Sequence, residues 1–234
     1  MKKFGVLIFA FALIVGFVAT NMFSFGKLND GILSFPFKFN RSVRGSGTMA
    51  TERRELSGFH GIEAGGAFTI EVVAQKDFAV EVEADDNLLP LVRTEVRRGI
   101  LHVSSEKGLK TQNPIYIRIA APDIDKLEIS GAATADISNI QNAGLDLDSS
   151  GASKIRLSGQ TSKLIVDVSG ATKIDAEGLV SENATVEASG ACTVNVYVTG
   201  TLRAEASGAS KITYTGSPRD VSKKSSGASS ITAR

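Results

Sequence analysis

Ser150-Gly151-Ala152-Ser153-Lys154-Ile155-Arg156-Leu157 and Ser169-Gly170-Ala171-Thr172-Lys173-Ile174 are successive copies of one pattern. The tripeptide Ser-Gly-Ala occurs six times, with glycines at Gly131, Gly151, Gly170, Gly190, Gly208 and Gly227, at intervals of 20, 19, 20, 18 and 19 residues. A period this regular marks a repeat stacked on itself. Aligning the glycines also aligns their neighbours. Four residues after each stand Ala135, Ile155, Ile174, Val194, Ile212 and Ile231; four before stand Leu127, Leu147, Val166, Val186 and Ala204, with Lys223 breaking the column in the last copy. Polar residues alternate with these, as in Lys163-Leu164-Ile165-Val166-Asp167-Val168. That is the period-two pattern of half-buried strands, which excludes helices here.

A coil of about 19 residues, at roughly 3.3 Å per residue, makes two or three short strands and their corners, which is one rung of a β-solenoid. A single rung cannot bury its own apolar face, so rungs stack about 4.8 Å apart with inward side chains in columns. Glycine at one fixed place per rung suits a corner with positive φ or a close approach between successive backbones. The alanine that follows it, at Ala132, Ala152, Ala171, Ala191, Ala209 and Ala228, predicts a corner whose interior holds one methyl group. Gly170→Val and Ala171→Phe are then both expected to be costly.

The chain has 234 residues, 26 basic and 25 acidic, for a formal charge of +1, so nothing points to nucleic acid. It has no Trp, 23 Gly and one Cys, which excludes an internal disulfide and fits β-structure with many tight corners. Met1-Lys2-Lys3 precedes an uncharged, apolar stretch from Phe4 to Gly26. This reads as an export signal, either cleaved or kept as a membrane anchor through residues 4–26. No Ala-x-Ala site follows it; Val18-Ala19-Thr20 is a weaker substitute. Lys2 and Lys3 would hold the N-terminus in the cytoplasm and everything after Gly26 outside. With no Cys near the start, a lipoprotein anchor is ruled out.

Residues 27–51 read as a linker and residues 52–234 as the β-helix domain. Within it, residues 52–125 make irregular first rungs and residues 126–234 the Ser-Gly-Ala rungs. Strand candidates in the irregular half are Phe68–Val72, Phe78–Val82, Ile100–Val103 and Ile115–Ile119, with Gly65-Gly66-Ala67 as a degenerate corner. Asp86-Asn87-Leu88-Leu89-Pro90-Leu91-Val92 suits a short helical turn that Asp or Asn can cap. Such atypical terminal rungs cap solenoids, whereas the stop at Ile231-Thr232-Ala233-Arg234 predicts an exposed edge strand.

Arg44-Gly45-Ser46-Gly47, Glu52 to Leu56, Ser57-Gly58-Phe59, Ile62 and Gly65-Gly66-Ala67, followed by the tandem rungs, resemble the bacterial putative auto-transporter adhesin head GIN domain family over residues 44–234. The resemblance implies a right-handed single-stranded β-helix, an extracytoplasmic location and a role in adhesion. It brings no catalytic residues.

Three residues before each glycine stand Glu128, Asp148, Asp167, Glu187 and Glu205, then Lys224. Stacking puts these in one outward file, where like charges about 4.8 Å apart oppose each other. Three residues after it come Thr134, Lys154, Lys173, Thr193, Lys211 and Ser230, a partly basic file. A solvated, screened face is the plain reading. The sharper one is calcium capture by Asp148, Asp167, Glu187 and Glu205, although the Gly-Gly-x-Gly-x-Asp signature of calcium-loaded β-rolls is missing.

Cys192 stands where other rungs carry Ser or Thr and reads as a packed thiol. His60 and His102 lack metal-ligand spacing, and no His follows His102 to serve a nucleophile. For a polysaccharide-cleaving enzyme, only Asp123, Asp125 and Asp136 cluster as candidate acids.

The sequence thus predicts an all-β, right-handed solenoid with irregular N-terminal rungs behind one hydrophobic segment. It is read as extracytoplasmic, in the periplasm or on the cell surface, and held at the inner membrane. The leading function is a non-enzymatic binding module that takes no cofactor and meets a glycan or another envelope protein. A scaffold assembling end to end as a homo-oligomer through its exposed terminal rung is the alternative. A carbohydrate-active enzyme is the third reading.

Overall fold

The computed structural model describes residues 42–234. The N-terminal strands are β1 (Val43–Arg44), β2 (Met49–Arg54), β3 (Gly61–Gly66), β4 (Thr69–Ala74), β5 (Ala79–Asp85), β6 (Val92–Arg97), β7 (Ile100–Ser105), β8 (Leu109–Lys110) and β9 (Tyr116–Ala121). The repeat region supplies β10 (Lys126–Gly131), β11 (Thr134–Asn142), β12 (Leu145–Gly151), β13 (Lys154–Val168), β14 (Lys173–Ala188), β15 (Thr193–Val198), β16 (Thr201–Ala206), β17 (Lys211–Gly216), β18 (Asp220–Ser225) and β19 (Ser230–Ala233).

Each circuit of the chain lays one strand on each of two parallel ladders. The first ladder stacks β7, β3, β10, β12, the second halves of β13 and β14, then β16 and β18. The second stacks β9, β4, β11, the first halves of β13 and β14, then β15, β17 and β19. The protein is a β-solenoid. β13 and β14 run 15 and 16 residues because each bends from one ladder to the other while staying extended. The bend leaves shifts in register after Ile137, Arg156 and Ala176. Leu127, Leu147, Val166, Val186 and Ala204 face Ala135, Ile155, Ile174, Val194 and Ile212 across the interior, none more than 2% exposed. The coil therefore encloses a packed core, and each large aliphatic side chain buried there contributes about 1.5–3 kcal/mol.

The Ser-Gly-Ala tripeptide is the corner between the ladders. Gly131, Gly151, Gly170, Gly190, Gly208 and Gly227 have φ from +71° to +99°. They stand one above another, and each following alanine N–H donates to the glycine carbonyl one rung below: Ala152 to Gly131, Ala171 to Gly151 and Ala191 to Gly170, at 2.7, 2.8 and 2.7 Å. A Cβ on any of these glycines would run into that carbonyl oxygen; even at Gly227, the loosest, it would lie 2.8 Å away. The alanines behave differently from expectation. They point to solvent, and the residue that fills the corner is the next one: Ala133, Ser153, Thr172, Cys192 and Ser210, none above 3% exposed. Positive φ at the glycine turns the following side chain outward. The hydroxyls drawn inside satisfy carbonyls of the corner, as Ser210 Oγ does with Gly190 O at 3.2 Å.

In the irregular half, β3 and β4 form a full rung in register with the repeats, with Gly66 directly under Gly131. Beneath it the chain changes direction. β6 pairs with β7, β5 with β9 and β2 with β5, all antiparallel. Arg98 and Gly99, both at positive φ, form the two-residue turn joining β6 to β7. The expected helical turn is a 3-10 turn over Leu89–Leu91, but no side chain caps it. Asp86 and Asn87 are occupied elsewhere: Ser46 Oγ donates to Asp86 at 2.5 Å, and Asn87 Nδ2 to Arg44 O at 2.9 Å. Next to them, Asp85 is 1% exposed and accepts from Thr111 Oγ1 and Asn113 Nδ2, each at 3.0 Å. Any side chain at Gly45 would collide with the Asp85 carboxylate. These bonds fasten residues 42–48 to the cap, so β1 and the start of β2 are ordered within the stretch read as a linker.

Candidate functional site

The acids three residues before each glycine stand in register on the first ladder and form one outward row. Glu128, Asp148, Asp167, Glu187 and Glu205 follow one another across β10, β12, β13, β14 and β16. The row is longer than the repeat. Below Glu128 come Glu63 on β3, His102 on β7 and Glu95 on β6, and above Glu205 comes Lys224 on β18. Glu63, His102 and Glu95 escaped the sequence reading because the irregular half has no period by which to align them.

Side chains of other kinds pair with the acids of the row only near its ends. His102 Nδ1 lies 2.9 Å from Glu63, Lys224 Nζ lies 3.2 Å from Glu205, and Arg203 reaches Glu205 at 2.9 Å. Among the described residues, Glu128, Asp148, Asp167 and Glu187 make no salt bridge. Partial burial, and then the charges of Asp146 and Asp167, push the Asp148 carboxyl above its ordinary range, against the weaker opposing effect of Lys126. At the relieved end, hydrogen bonds from Arg203 and Lys224 hold the Glu205 carboxyl below its ordinary value. The corresponding row on the second ladder is built otherwise: Glu81, Arg118, Glu71, Asp136, Arg156 and Asp175 succeed one another. There Arg118 holds Glu71, Glu81 and Glu83, and Arg156 holds Asp136 and Asp175. Every acid of this second row thus has an arginine beside it, which the middle of the first row lacks.

Beside the acidic row runs a second outward file, Ser130, Ser150, Ser169, Ser189, Ser207 and Ser226, from the corners themselves. Carboxylates and serines together line a shallow groove, about 380 Å³ where it passes Asp167, Glu187, Glu205 and Lys224. The partly basic file of Lys154, Lys173 and Lys211 stacks on the other side of the corner. This arrangement offers repeated hydrogen-bond acceptors and negative charge along a line. It is suited to an extended or multivalent partner.

The candidate calcium ligands Asp148, Asp167, Glu187 and Glu205 belong to this line. Among the described residues no three His, Cys, Asp or Glu side chains converge on a point where a metal ion could sit. The candidate acids for catalysis each have their own partner. Asp125 is held by His60 Nδ1 at 2.7 Å, Asp123 receives Asn142 Nδ2 at 3.4 Å, and Asp136 pairs with Arg156 at 3.5 Å. Cys192 is buried, its Sγ 3.2 Å from Ser189 O. Among the described residues no helix is long and apolar enough to cross a membrane. The segment read as an export signal or anchor lies outside the described residues.

A closed apolar core, two parallel ladders and side chains repeated in rows define a β-solenoid whose chemistry lies along its faces. The chain belongs to the family described as Putative auto-transporter adhesin, head GIN domain, whose model matches residues 58–218. Three crystal structures share the fold. A putative adhesin from Bacteroides fragilis has a TM-score of 0.68 and 20% identity, with 82% of this chain and 100% of that one covered. One from Parabacteroides distasonis has 0.54 and 17%, covering 83% and 100%, and one from Parabacteroides merdae 0.51 and 18%, covering 82% and 99%. At these identities the likeness concerns the fold. No curated protein matches the chain at a significant level.

Proposed function

We propose that the protein is a non-enzymatic, extracytoplasmic binding module of the cell envelope and that its role is adhesion to a glycan or another envelope protein. The observation that carries this reading is the distribution of its polar chemistry. Side chains of one kind recur at the rung spacing along an open face, which favours many weak, additive contacts over one convergent pocket. The acidic row with its serine file is the contact surface, and it selects partners bearing cationic or hydrogen-bond-donating groups at a repeated spacing. The family, together with the positive and then apolar start of the chain, supports export with residues 4–26 as signal or anchor.

The test is retention of glycans and envelope extracts on immobilised protein, comparing the wild type with a triple variant Asp148→Asn, Asp167→Asn, Glu187→Gln. A partner held by the wild type and released at least tenfold faster by the variant is expected. Failure of the wild type to retain anything beyond an inert control protein, or turnover of a polysaccharide during the assay, would overturn the reading. Location is checked separately, since protease added outside the cytoplasmic membrane should reach residues 42–234.

A further inference from the structure

The inward columns of the first ladder stop at β18. Leu127, Leu147, Val166, Val186 and Ala204 are all fully buried, yet the next place in that column belongs to Lys223. The neighbouring column passes from Ala188 and Ala206 to Ser225. Lys223 is not turned away from the opening it faces. Its Nζ lies 4.6 Å from the centroid of the Tyr214 ring, and Tyr214 continues the inward column of the second ladder above Val196. The lysine therefore reaches from one ladder to the other across the mouth of the core. Its ammonium rests on a ring face, where the π-quadrupole attracts it and water still reaches it. Val221 and Ile231 remain partly buried against the same end of the core.

We propose that Lys223, laid across the core onto Tyr214, closes this end of the solenoid against a second copy of the chain, so that copies meet partners along their faces and not end to end. A further rung stacked on β18 and β19, from whatever chain, would have to bury the Lys223 ammonium above an apolar column that offers no carboxylate. It would also have to separate the ammonium from water. An unpaired charge inside a core is among the most unfavourable arrangements in a protein, and inward-facing charge is a known means of protecting exposed strand edges. This assignment opposes assembly through the terminal rung. It is independent of which partner the faces bind.

The experiment uses the full chain in mild detergent, followed by sedimentation velocity over about a hundredfold range of concentration. The wild type and Lys223→Arg are expected to sediment as one species throughout. Lys223→Val supplies the residue the column calls for, and is expected to add species at two and more times the unit mass, seen as lengthened particles by electron microscopy. Adding Ser225→Lys to that variant restores a charge at the same end and should return the single species. Thermal melting shows whether Lys223→Val is folded. If it is unfolded, Lys223→Ala and Lys223→Met take its place and must show the same association. A folded variant that stays a single species at every concentration overturns the proposal, as does wild-type protein that itself lengthens end to end.

Discussion

The glycine and the alanine of the corner tripeptide look equally invariant within this chain, and the structure separates them. Gly170 needs its φ of +85°, and a Cβ there would strike the carbonyl of Gly151. Ala171 only needs a free N–H, which it donates to that same carbonyl at 2.8 Å while its methyl faces solvent. Gly170→Val should therefore lower stability by about 2–3 kcal/mol, from strained backbone and steric overlap. Ala171→Phe should change it by no more than about 0.5 kcal/mol, as surface substitutions usually do. Urea denaturation of the two variants checks both, and equal losses would contradict the corner geometry. The sequence marked the corner because positive φ demands glycine. It could not tell which of the following residues turns inward, since Ala, Ser, Thr and Cys are all small enough to do so.

At the scale of the strands, the two outward rows differ in what they do to stability. In the second-ladder row every acid lies against an arginine, whereas the first-ladder row stacks like charges that cross-strand pairing brings together. The Asp148 carboxyl is raised in the folded state, so folding binds its proton more tightly and its penalty is fully present above the folded value. That penalty is relieved as pH falls through the folded value. Glu205 works in the opposite sense: held low by Arg203 and Lys224, it contributes stability above its unfolded value, and this is lost as pH falls through the lower folded one. Asp148→Asn is accordingly expected to raise stability by about 0.5 kcal/mol at pH 7. The gain in melting temperature should shrink toward pH 4 and with added salt, as screening weakens the repulsion. A gain that grows on acidification would refute this account. The middle of this row was legible from the repeat alone. Its lower end was not, because Glu63, His102 and Glu95 reach their places through β3, β7 and β6, whose order in space is not their order in the chain.

For the whole molecule, each rung touches chiefly the rungs above and below, so stability is close to a sum of rung and interface contributions. Deleting residues 152–170 joins Gly151 to Ala171 and removes one circuit with the register intact. That chain should keep its β-sheet circular dichroism and melt cooperatively at a somewhat lower temperature. Deleting residues 152–161 removes about half a circuit, places inward residues outside and should abolish the transition. The sequence by itself determined the solenoid, its period, the glycine corner and the inward columns. A stacked repeat imposes the same steric and burial demands on every circuit, and those demands leave a written period. Tertiary structure alone decided the second bend through Asn139 and Gly159, the antiparallel closure by β2, β5 and β6, the fastening of residues 42–48 by Asp86 and Asn87, and the placing of Lys223 over Tyr214. Each of these joins residues far apart in the chain, at an end or a bend, and no residue type recurs there at a fixed place by which those involved can be aligned.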